Sequence, residues 1–151
     1  MNHVQRLEFA TKTLSVVQAH REDIQLKAIV VYKQNVQQHI RADQNKLYNY
    51  MIRLSLVDPM AQANEVHFSP DPKSIKVQSG NSLHDYLQTT LWFEKQVATV
   101  LDTRPMDSKS HLNVQFADML AGLVQTHFED GNSDYFNVLN PVMTVKRLYF
   151  P

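Results

Sequence analysis

The stretch Asp107-Ser-Lys-Ser-His-Leu-Asn-Val-Gln-Phe-Ala-Asp-Met-Leu-Ala-Gly-Leu-Val-Gln-Thr-His-Phe128 decides how this chain is read. It joins a helix start signal to a long apolar surface that holds one isolated carboxylate. Ser110 can accept a backbone N–H of the first turn, and Gly131 stands just past the expected end, so the pattern predicts a helix over residues 112–128. At ~100° per residue, Leu112, Phe116, Met119, Leu120 and Leu123 form one stripe. Ala117, Ala121, Val124, Val114 and Phe128 widen it to more than half the circumference, which predicts burial on more than one side. The polar strip that remains holds Gln115, Asp118, Gly122, Gln125 and Thr126, with Asp118 its only ionisable member. Gln115 and Asp118 are neighbours at i,i+3, and Gly122 leaves space beside the carboxylate.

On either side of this helix the pattern alternates. Residues 2–23 carry Val4, Leu7, Ala10, Leu14 and Val17 at helical spacing. Leu26-Lys-Ala-Ile-Val-Val-Tyr32 is a short β-branched run, expected of a strand covered on both faces. Helical spacing returns over residues 43–57, with Asp58-Pro59 as the expected stop because proline disfavours helix in the residue before it. Glu65-Val-His-Phe-Ser69 alternates as a strand should, and Ser82-Leu-His-Asp85 opens another helix through Leu91. Gln96-Val-Ala-Thr-Val-Leu101 is a third strand candidate. Residues 142–150 form either a last strand or an extended arm. Helices alternating with short apolar strands imply an α/β domain whose sheet has helices on its faces.

Composition bounds the rest. A chain of 151 residues, 43% hydrophobic and 20% charged, fits a single globular domain spanning 1–151. Fifteen basic and fifteen acidic residues cancel, so any nucleic-acid binding would rest on a local patch. The absence of cysteine excludes disulfide and thiolate chemistry. No apolar run approaches the ~18 residues of a membrane span and no leader pattern opens the chain, which makes a cytoplasmic location the default expectation.

Ligands of open α/β sheets collect at the carboxyl ends of strands. Asp71 follows one strand candidate, Asp102 and Asp107 follow another, and Asp118 lies in the helix beyond. Carboxylates gathered there raise one another's pKa unless a cation joins them, and Mg²⁺ or Mn²⁺ suits such a site. Two such ions would allow in-line attack on a phosphodiester. The blander alternatives stay open: Asp71 between two prolines is an ordinary turn residue, and Asp107 an ordinary turn cap. The seven histidines show no HExxH or comparable ligand spacing, and no P-loop, G-x-S-x-G or G-x-G-x-x-G is present. Lys73, Lys76, Arg104 and Lys109 share loops with the acids and are either phosphate contacts or solvated charges.

Four segments, Lys46-Leu-Tyr-Asn-Tyr-Met, Phe68-Ser-Pro-Asp-Pro-Lys-Ser-Ile-Lys-Val, Met106-Asp-Ser-Lys-Ser and Gln115-Phe-Ala-Asp-Met-Leu-Ala-Gly, together make the chain resemble the domain-of-unknown-function family 3800 of bacteria and their phages. That resemblance implies a ribonuclease-H-like fold with an acidic metal site and metal-dependent nuclease activity. Asp118 and Asp71 would be metal ligands, Asp107 would assist, and Gln115 would orient a ligand or water. The family pattern opens on a strand bearing Asp-Glu-Ser-Gly, which occurs nowhere in these residues. The expectation is therefore a truncated domain with weak or no activity, with nucleic acid as substrate. The alternative is a non-catalytic module of a phage or mobile element that forms homo-oligomers, or exchanges strands, through exposed sheet edges.

Overall fold

The computed structural model describes residues 1–32, 44–72 and 80–148. Their elements, in chain order, are α1 (His3–Ala19), β1 (Leu26–Val31), α2 (Gln44–Met60), β2 (Glu65–Phe68) and α3 (Gly80–Thr89), which continues as a π-helical turn (Thr90–Glu94). Then follow β3 (Val100–Thr103), α4 (Leu112–Asp130), α5 (Asp134–Leu139), a 3₁₀ turn (Asn140–Val142) and β4 (Met143–Leu148). The protein is mixed α/β, as the alternating pattern predicts, but the four strands among the described residues make two separate two-stranded sheets, β1 with β4 and β2 with β3. None of the described helices is long and apolar enough to cross a membrane.

The chain divides into two compact units. The first comprises Met1–Val30 and Phe116–Arg147, and the second comprises Val31–Gln115 and Leu148–Pro151. In the first, α1 begins on a capping box: the Asn2 side chain accepts the Gln5 N–H, and the Gln5 side chain accepts the Asn2 N–H, each at 2.9 Å. Ala10 of α1, Leu123 of α4, and Tyr135 and Leu139 of α5 close a core that Leu7, Phe9, Leu120, Val138 and Met143 surround. The hydroxyl of buried Tyr135 bonds His3 Nδ1 at 2.8 Å, which satisfies its polar end.

The second unit is built on Val57 and Met60 of α2, Leu83, Leu87 and Leu91 of α3 and the turn after it, and Leu101 of β3. β2 and β3 run parallel, with Glu65 opposite Val100 and Phe68 opposite Thr103. Period-two alternation sends Val66, Phe68 and Leu101 into this core and leaves Glu65, His67 and Val100 exposed. The edge of β3 away from β2 is closed by a side chain. Buried Gln88 of α3 accepts the Leu101 N–H and donates to the Thr99 carbonyl, both at 2.8 Å, as a neighbouring strand would.

Three local expectations need correction. Helix α2 runs through Asp58 and Pro59 to Met60, and the Ala61 N–H still reaches the Val57 carbonyl. A proline in a last turn breaks little, because few bonds lie beyond it. The third strand starts at Val100 rather than Gln96, whose φ of 54° ends the π-helical turn instead. That turn is closed by Lys95 N–H to the Thr90 carbonyl. Finally, α4 is not covered along its whole apolar surface: Val114, Leu123, Val124 and Thr126 are buried, whereas Leu112, Ala117 and Ala121 are exposed. Its end matches expectation, with Gly131 at φ 72° and the Asn132 N–H returning to the Thr126 carbonyl.

Candidate functional site

The parallel pair β2–β3 sets the site, because both strands deliver their carboxyl ends, and the loops after them, to the same place. The ladder does not stop at the strands. Arg104 N–H donates to the Phe68 carbonyl at 2.9 Å, and Met106 N–H donates to the Pro70 carbonyl at 3.0 Å. Asp71 directly follows Pro70 and Asp107 directly follows Met106, so the two acids leave neighbouring points of one extended ladder. Flanking prolines fix the backbone on either side of Asp71, which is half-buried. Asp107 Oδ1 accepts the Lys109 N–H at 2.9 Å, and its carbonyl accepts the N–H groups of Ser110 and His111. The turn-capping role of Asp107 is thus real, and it holds the carboxylate in one orientation.

A second polar group lies one step back on the exposed face of the same sheet. His67 and Asp102, partners in the register, meet at 3.3 Å between Nδ1 and Oδ2. Arg104 Nε donates to Asp102 Oδ1 at 3.2 Å, and Glu65 Oε1 lies 3.7 Å from His67 Nε2. The guanidinium of Arg104 first, and His67 after it, holds the Asp102 carboxyl below the usual carboxylate range. Asp102 therefore sits inside β3 and not beyond it. Sequence reading missed this pairing, since alternation marks Glu65, His67 and Asp102 as outward residues but says nothing about which strand is beside which. His84 Nδ1 bonds Thr103 Oγ1 at 2.8 Å and ties α3 to the strand end.

The remaining site candidates belong to α4. Gln115 and Asp118 stand three residues apart on it, in the polar strip, and both are exposed. Gln115 belongs, with Asp71 and Asp107, to the second unit, whereas Asp118 belongs to the first. A side chain at Gly122 would meet nothing within 4 Å, in keeping with the open space expected there. Among the described residues no three His, Asp or Glu side chains converge as a metal-binding group. Lys73 and Lys76 lie outside the described residues. No protein-family model, curated protein or solved structure matches the chain.

Proposed function

We propose that the chain is a ribonuclease-H-like domain of a metal-dependent nuclease, whose acidic site lies at the carboxyl ends of β2 and β3. The observation that carries this reading is the Met106-to-Pro70 hydrogen bond at 3.0 Å, which sets Asp71 and Asp107 at adjacent positions beyond a parallel strand pair. One or two carboxylates with several waters are the usual protein share of a Mg²⁺ or Mn²⁺ site, and these two residues fit that share. Bound there, the ion would polarise a phosphodiester and activate water. Asp71 would be a direct ligand, and Asp107, held by the Lys109 N–H, would assist. Asp118, the other ligand the resemblance implies, and Gln115, the orienting residue, are both exposed on α4. Activity of this chain is expected to be weak, because the acid of the family's Asp-Glu-Ser-Gly strand is not among its residues.

The test is cleavage of end-labelled RNA and DNA with Mn²⁺ and with chelator, comparing wild type with Asp71→Asn, Asp107→Asn and Asp118→Asn. Metal-dependent cleavage lost in Asp71→Asn supports the proposal. Equal, metal-independent background from all four proteins removes it.

A second reading, a self-associating module that pairs strands between copies, is favoured by one observation. Among the described residues β2 pairs only with β3, leaving its outer edge open, whereas Gln88 already occupies the outer edge of β3. Sedimentation showing a stable monomer at micromolar concentration would exclude it.

A further inference from the structure

The first unit carries a groove that the nuclease reading does not use. It has a volume of about 290 Å³, is open to solvent, and is lined by the end of α1, the start of β1 and the turn into β4. Val17, Ile24, Leu26, Pro141, Val142 and Met143 provide apolar walls, and Arg21, Gln25 and Thr144 provide the polar groups. A volume near ~300 Å³ is the lower end of what small-ligand pockets show. Arg21 is exposed and makes no ion pair among the described residues. At the end of α1 the Val16 and Val17 carbonyls share the His20 N–H, and the His20 carbonyl accepts from Asp23 and Ile24.

We propose that this groove binds a small monocarboxylate with an apolar body, the carboxylate on Arg21 and the body against Val17, Leu26 and Met143. One guanidinium matches one carboxylate in a two-pronged hydrogen bond. A phosphate dianion would carry one charge more than the single guanidinium of Arg21 can balance. Gln25 and Thr144 can donate further bonds to the carboxylate, while the apolar wall excludes a ligand that is polar throughout.

Hexanoate and hexanamide, equal in size and different in charge, are the probes, followed by amide resonances of the full chain. Hexanoate is expected to shift residues 17–26 and 141–144 saturably, and to bind about tenfold more tightly than hexanamide, the worth of one charge-assisted pair. Arg21→Gln should reduce hexanoate to the level of the amide. Gln25→Trp, a surface change that fills the groove, should abolish binding of both. Equal titration by the two probes, unchanged hexanoate binding in Arg21→Gln, or no shift up to about 10 mM hexanoate would each overturn the assignment.

Discussion

Replacing Gln88 by leucine tests the account of how β3 is held. The substitution keeps the side chain at nearly the same size, so packing against the core changes little. It removes two hydrogen bonds, but their costs differ. The Thr99 carbonyl also accepts the Trp92 indole N–H at 3.0 Å and keeps that donor. The Leu101 N–H has no such reserve: its acceptor is Gln88 Oε1 at 2.8 Å, and Leu101 is only 3% exposed. One buried, orphaned donor costs about 1–3 kcal/mol, so Gln88→Leu should destabilise by about 2 kcal/mol. Adding Trp92→Phe strips the Thr99 carbonyl of its second donor, and the two changes should couple by about 1 kcal/mol or more. Urea denaturation followed by circular dichroism measures both effects, since Trp92 is the sole tryptophan and fluorescence is lost with it. Exchange of the Leu101 amide supplies the local readout. Stability within about 0.5 kcal/mol of wild type, with that amide still slow to exchange, would refute the reasoning.

Other expectations follow from single residues. Leu123→Ala opens a cavity at a position 2% exposed and should cost about 2–5 kcal/mol in urea unfolding. Gly131→Ala meets no steric contact, yet forces a Cβ onto a residue at φ 72°, which should cost about 1 kcal/mol in the same assay. Asp102 has a lowered folded-state pKa, so its contribution is fully present above the unfolded value of ~3.9 and is lost as pH falls through the lower folded value. Urea midpoints taken from about pH 5 down to about pH 2 should fall more steeply in wild type than in Asp102→Asn.

Helix α4 shows why periodicity reveals more than it can settle. Its existence and its glycine stop follow from local spacing, and both are found. Its burial does not, because alanine is read as apolar wherever it stands, and Ala117 and Ala121 are in fact exposed. Asp58-Pro59 misleads for a related reason: a proline rule describes helix interiors, and this proline falls one residue from the end. Short α5 carries too few turns to leave a periodic signal, although Tyr135 and Leu139 help close the first core and Phe136 is buried beside them in sequence. That Asp71 and Asp107 each follow a strand was legible, whereas the pairing of those two strands, which makes the acids neighbours, was not. The His67–Asp102 pair was not, since it depends on register, which no single strand encodes.

A hard cation would settle between Asp71 and Asp107. Titrating the protein with Mn²⁺ and following paramagnetic broadening of backbone amides tests it without reference to turnover. Resonances of residues 69–72 and 104–109 are expected to broaden first, and Asp71→Asn to remove the effect. Broadening that begins elsewhere, or that is unchanged in Asp71→Asn, would contradict it.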